Sequence, residues 1–425
     1  KQSTQFKFDF LTGFLRIQAC ARARKQILSL LLASVFFVSQ AVAQPLSQAP
    51  LETEEVVVEE LIHHSLRIVL DPLSRQITVE DTISLPAAMQ ANPLEFALHS
   101  NLIISNNSGN LRTLSQAPDQ SSGSSAIGIN STGGSVAPTN RYFLTPSARN
   151  REQIVLVYSG EIYDLAEQNS AEYAQSFSET SGIISDQGVY LNKASMWIPD
   201  FGDDLLSFDM EVEFADTARN WTAVSQGDRR GESGENAWQS DEPMEEVYLI
   251  AANFTVYSQQ SDDIEVLAYL RQPDPNLATK YMDATERYLA LYEPLLGDYP
   301  FSKFALIENF WETGYGMPSF TLLGEQVIRF PFILESSYPH EILHNWWGNG
   351  VYPDYNSGNW SEGLTAYLAD HLFQEMEGLG NEYRKEMLAR YKNYVADGND
   401  FPLSEFTSRN SAASQAIGYG KTLML

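Results

Sequence analysis

Three residues in one short run have the types and spacing to hold a metal ion and activate water: His340, Glu341 and His344, in Pro339-His340-Glu341-Ile342-Leu343-His344. Residues four apart share a helix face, so the two imidazoles can converge on one cation. Glu341 follows the first histidine and projects beside the ion, not onto it, where its carboxylate can take a proton from bound water. Zinc suits such ligands, and a hydrolytic site keeps a fourth position open for solvent, whose pKa falls to about 7 when bound. The plain alternative is a helix whose histidines are satisfied within a core. A third ligand separates the two. Position 350, where a longer histidine run would supply it, is Gly350, but Ser361-Glu362-Gly363-Leu364 opens the next helix with a carboxylate. Two histidines and a glutamate from adjacent helices make a hydrolytic zinc set.

These side chains need helices to carry them and a sheet to pack against. Helical spacing is predicted over 338–347, over 361–377 with Leu364, Leu368, Leu372 and Met376 on one stripe, and over 382–396. An earlier helix, with Leu277, Tyr281, Tyr288, Leu291 and Leu295 on one face, stops at Gly297 and is followed by a strand near Phe304 to Ile307. Upstream of Gln272-Pro273-Asp274-Pro275 the period is two: Ile77, Val79, Ile83 and Leu85 alternate, and strands recur at Ile154 to Tyr158, Phe208 to Phe214 and Ile264 to Leu270. Residues 105–140, rich in Ser, Gly and Asn, read as a flexible surface insertion. The expectation is an α+β chain, with a β-rich sandwich over 44–270 and a mostly helical catalytic part over 271–425.

The amino end reads as a processing segment. Arg22, Arg24 and Lys25 precede an uncharged run from Ile27 to Val38 and a small-residue site at Ala41-Val42-Ala43. This is the pattern of a signal sequence over 1–43, and the apolar run is too short to span a bilayer as a helix. The only cysteine, Cys20, would leave with it, so the mature chain could form no disulfide. The expected location is outside the cytoplasm, periplasmic or secreted, with membrane attachment only if the segment stays uncleaved. A net charge of −28 argues against nucleic-acid and anionic-membrane partners. A composition 43% hydrophobic and 12% aromatic excludes a disordered chain.

The run His340-Glu341-Ile342-Leu343-His344-Asn345-Trp346-Trp347-Gly348-Asn349, with Ser361-Glu362-Gly363-Leu364 and Tyr419-Gly420-Lys421, resembles the aminopeptidase N and leukotriene-A-hydrolase group of gluzincin metallopeptidases. Trp197-Ile198-Pro199 and Asn220 to Ser225 are similar to segments of that family's saddle-shaped N-terminal domain. The resemblance implies one zinc ion per chain held by His340, His344 and Glu362, with Glu341 as general base and Tyr419 donating to the oxyanion. It also implies a thermolysin-like catalytic domain, a peptide or protein substrate, and a further helical region beyond Leu425.

Two departures stand out. Between His344 and Glu362 lie 17 residues where the family has one more, a difference the turn-rich stretch Tyr352 to Asn359 can absorb. The family's Gly-Ala-Met-Glu-Asn strand aligns with Tyr315-Gly316-Met317-Pro318-Ser319, so Pro318 replaces the glutamate that holds a substrate's α-amine. Gly314, Gly316 and Met317 still admit a substrate backbone, and Glu325 resembles a position near the cleft that could bind an amine or pair with Arg329. Loss of the anchoring glutamate opens a second reading, a metallopeptidase-like binding or scaffold protein with weak or no hydrolysis. His63, His64, His99 and His371 read as structural.

Overall fold

The computed structural model describes residues 60–425 except 91–92, 116–135, 147–151, 169–177, 203–204, 232–235, 396–397, 410 and 425. The expected leader over 1–43 and most of the expected insertion lie outside the described residues.

The upstream alternation becomes a seven-stranded sheet. Its strands include β1 (Ile62–Asp71), β2 (Gln76–Ser84), β3 (Gln153–Glu161), β4 (Leu206–Phe214) and β5 (Ala237–Met244). β1 and β2 pair antiparallel with Ile68 opposite Val79, and β4 runs parallel to β1 on its other side. Ile77, Val79 and Ile83 are fully buried, as their period-two spacing requires. A three-stranded sheet includes Gly109–Ser115 and Thr139–Pro146, so the expected insertion is ordered at both ends. Leu111 faces Leu144 there, which gives a polar stretch enough apolar contact to form an edge strand. A four-stranded sheet adds Ile183–Ser185, Gly188–Leu191, Thr222–Val224 and Leu249–Ala252.

The next sheet departs from the sequence expectation. β6 (Thr255–Ser261) and β7 (Ile264–Leu270) join β8 (Lys303–Asn309), β9 (Gly314–Met317) and β10 (Phe320–Gly324) in the order β6-β7-β8-β10-β9. β7 therefore belongs with the helical half and not, as expected, with the upstream strands. Its five consecutive buried residues Val266 to Leu270 show the reason: both of its faces are covered, one by the upstream core and one by helix α1. Helix α1 (Pro275–Leu296) forms the crossover from β7 to its parallel neighbour β8. Asp274 caps it by accepting from the Leu277 N–H at 3.0 Å, and Gly297 ends it at φ +102°.

The site rests on α2 (Ser337–Leu343) and α3 (Ser361–Ala366), which are followed by α4 (Gly380–Tyr394). α3 runs directly into a π-helical turn at Tyr367–His371 and then Leu372–Met376. That wider turn breaks the expected stripe: Leu364 and Met376 are 39% and 64% exposed, while Ala369 and His371 turn inward. A second π-helical turn, Ala416–Lys421, carries Tyr419. Among the described residues no helix is long and apolar enough to cross a membrane.

Candidate metal centre

α2 presents His340 and Glu341 from its last turn, and His344 follows as its C-terminal cap residue. α3 presents Glu362 from its first turn. The Glu362 carboxylate lies 3.3 Å from His340 Nε2 and 3.6 Å from His344 Nε2. One ligand atom from each of the three residues falls within 4.8 Å of the others. His344 and Glu362 are buried and His340 nearly so. Burial alone would raise the Glu362 carboxyl, but hydrogen bonds to the two imidazoles hold it well below the usual carboxylate range. Burial opposes protonation of His340, yet Glu362, Glu341 and Asp370 together push its imidazole up to about 9. A buried carboxylate facing two imidazole nitrogens, with a proton making up the charge, is a donor set that a divalent cation fits by displacing that proton.

Neighbouring contacts orient His344 and tie together the segments that carry the three residues. His344 Nδ1 lies 3.4 Å from the Trp347 carbonyl, so a proton there leaves Nε2 as the lone-pair donor. Trp347 Nε1 donates to Thr365 Oγ1 at 2.8 Å, tying the end of α2 to α3, and Thr365 Oγ1 donates back to the Ser361 carbonyl. Trp346 Nε1 donates to the Gly297 carbonyl at 3.0 Å, anchoring the same segment to the end of α1. Gly363, next to Glu362, has no room for a Cβ, which would run into the Thr422 side chain, so α3 and the chain beyond Tyr419 approach closely.

Glu341 stands outside the ligand set. Its carboxylate lies against Gly316 of β9 and close enough to His340 and Tyr419 to act on both electrostatically. The Tyr419 ring stacks on His340, with centroids 6.2 Å apart and planes 13° from parallel. Burial pushes its phenol well above the usual range, and Glu362 adds to this through charge and a hydrogen bond, so the hydroxyl remains a protonated donor. Of the other residues singled out, Gly314, Gly316 and Met317 form β9, with Pro318 in the turn beyond it. Glu325 is exposed in the turn after β10, where its carbonyl accepts from Arg329. The remaining histidines are engaged elsewhere: His64 pairs with Asp81 at 2.9 Å, and His371 Nε2 accepts from Arg384.

Three residues at the site carry roles that their spacing in the sequence does not announce. Asn345 and Thr365 hold α2 and α3 through side-chain bonds that no residue spacing announces. Asp370 comes within electrostatic reach of His340 because of the π-helical turn.

No protein-family model matches the sequence, and no curated protein matches it. Solved structures do match in fold. The M1 zinc metallopeptidase of Deinococcus radiodurans, crystallised as a point variant, superposes with a TM-score of 0.56 at 14% identity, over 86% of this chain and 81% of that one. The same variant solved with a Tyr-Ser-Ala substrate gives the same values. Leukotriene A4 hydrolase of Saccharomyces cerevisiae gives 0.57 at 12% identity, over 86% of this chain and 58% of that one. The shared architecture is the β-rich half followed by the helical half.

Proposed function

We propose that this chain is a zinc-dependent metallopeptidase that hydrolyses peptide bonds with Glu341 as general base. The observation that carries the reading is the convergence of His340, His344 and Glu362 with Glu341 held just outside them. Likeness of fold to zinc metallopeptidases, one of them solved with a peptide substrate, supports the same reading.

Zinc bound by the three ligands would polarise a scissile carbonyl and acidify water. The chain's own residues supply the rest. The Glu341 carboxylate accepts a proton from the attacking water and passes it to the leaving amine. The Tyr419 hydroxyl, kept protonated by burial, donates to the oxygen that gains charge. β9 is last in its sheet order, so an extended peptide can lie along it, with Gly314 and Gly316 allowing close backbone approach. Pro318 carries no charge to hold an α-ammonium, so the substrates proposed include peptides with blocked amino ends.

The proposal includes export, supported by the basic, apolar and small-residue order of residues 22–43. Zinc analysis of the full chain, combined with turnover of aminoacyl and internally quenched peptides by wild type and Glu341→Gln, tests the reading. Stoichiometric zinc in both proteins and cleavage by wild type alone support it. No zinc, or full activity in Glu341→Gln, overturns it. Zinc and peptide binding without cleavage would favour the second reading, a binding or scaffold protein, which Pro318 motivates.

A further inference from the structure

Lys303 is 1% exposed at the start of β8, where an aliphatic residue would serve packing better. Its Nζ donates to Ser319 Oγ at 2.6 Å and lies 3.4 Å from the Ser319 carbonyl. The ammonium also sits 5.0 Å from the Trp238 ring and 5.7 Å from the Phe320 ring. Ser319 closes the β9–β10 hairpin at φ +65°, a left-handed conformation that is strained for a residue with a side chain. Something must hold it there. On its other side the Ser319 N–H donates to Asn345 Oδ1 at 2.7 Å. Asn345, the residue after His344, donates from Nδ2 to the Ile342 carbonyl at 2.9 Å and the Glu341 carbonyl at 3.3 Å. The chain of contacts thus runs from the sheet, through the hairpin turn, to the backbone of the helix that carries the general base.

We infer that Lys303, Ser319 and Asn345 form a polar brace that sets the register of β9 against the Glu341 helix, making Lys303 a positioning residue for a peptide bound along β9. The inference rests on the peptidase reading and deepens it. A brace and a filler of the core respond differently to removal. Replacing a buried, partly paired ammonium by an apolar chain of similar length leaves stability unchanged or raises it. The same replacement removes the tie to the Ser319 hydroxyl and leaves the turn held by the Ala305 N–H to Ser319 carbonyl bond at 3.0 Å and by Asn345, so β9 sits less firmly against Glu341 and bound peptide is weakened.

The test uses the full zinc-loaded chain in the Glu341→Gln background and a fluorescein-labelled hexapeptide, read by anisotropy. Lys303→Met is expected to weaken binding about tenfold with zinc content and thermal midpoint held or raised. In the Glu341 form, KM rises by a similar factor while kcat stays within about twofold. Ser319→Ala, which keeps the lysine and removes the hydroxyl, is expected to weaken binding in the same direction, and it decides the matter if Lys303→Met fails to fold. Unchanged peptide affinity in the folded variants, or loss of affinity together with zinc, overturns the brace and leaves the peptidase reading standing. Failure of the unsubstituted chain to bind or cleave peptide overturns the peptidase reading itself, and the brace's use with it.

Discussion

Gly316 and Glu341 compete for one volume: the space a Cβ at position 316 would fill is taken by the Glu341 carboxylate. The proposed general base and the proposed substrate strand are therefore in direct contact, and the glycine is what allows it. Gly316→Ala must displace the carboxylate, since the backbone of α2 also lies close by. We expect kcat to fall about tenfold or more with bound zinc unchanged, a split that activity assays and metal analysis would read.

Tyr419→Phe removes only the hydroxyl and preserves the ring stacked on His340. Loss of one oxyanion donor costs about 10²–10³ in kcat. Zinc stoichiometry should stay at the wild-type value. A variant that loses metal and activity together would place Tyr419 in the structure of the site and not in its chemistry.

The Trp347–Thr365 bond joins the segments that supply the proposed metal ligands. Thr365→Val keeps the shape and deletes the acceptor. Interactions that orient ligands from behind are worth about 10–100-fold in metal affinity. Competition with a zinc-binding dye should show a weakening in that range, with little change in overall fold by circular dichroism.

One half-buried group and one buried group give stability opposite slopes with pH. Burial pushes the Glu245 carboxyl up to about 7, Glu246 adding to this and Lys193 opposing it. The unfolded chain releases that proton at lower pH, so stability falls as pH rises from about 4.5 to 7. Burial pushes the Lys303 ammonium down to about 7, opposed by the Asp228 and Glu265 carboxylates and assisted by the Arg229 guanidinium. Here the unfolded chain keeps its proton to higher pH, so stability rises between about 7 and 10.5. The pair contributes a minimum near neutrality. Denaturant titrations across this range should show the acid-side slope flatten in Glu245→Gln and the alkaline-side slope flatten in Lys303→Met.

The convergence of His340, His344 and Glu362 was legible because part of its geometry is local. Helical spacing of four brings His340 beside His344 whatever the rest of the chain does, and Glu362 returns to them after 17 intervening residues at the start of the next helix. The strands were legible as strands, since Ile77, Val79 and Ile83 alternate, but alternation marks a face and not a partner. Hence β7, expected with the upstream strands, pairs instead with β8 after the first helix, although its run of apolar residues signals burial on both sides. The leucine stripe after Glu362 failed for a different reason. It assumes 3.6 residues per turn, and the π-helical turn departs from that period without a marker in residue type. The Lys303–Ser319–Asn345 contacts join positions 16 and 26 residues apart, which no spacing rule connects.

Both π-helical turns hold one residue more than an α-helix would, the first just beyond Glu362 and the second around Tyr419 itself. Each is in effect an insertion stored inside a helix. Deleting a single residue from Ala416–Lys421 would let the segment relax to ordinary α geometry and improve its backbone bonding. Because six residues at the wider π pitch turn about as far as five at α pitch, the chain on either side would keep its facing, and only side chains inside the turn, Tyr419 among them, would be re-aimed. A shortened chain could therefore be the sturdier protein while its phenol points away from the imidazole it now covers. In this molecule a one-residue gap at either turn would re-aim the side chains inside it and leave its flanks in place.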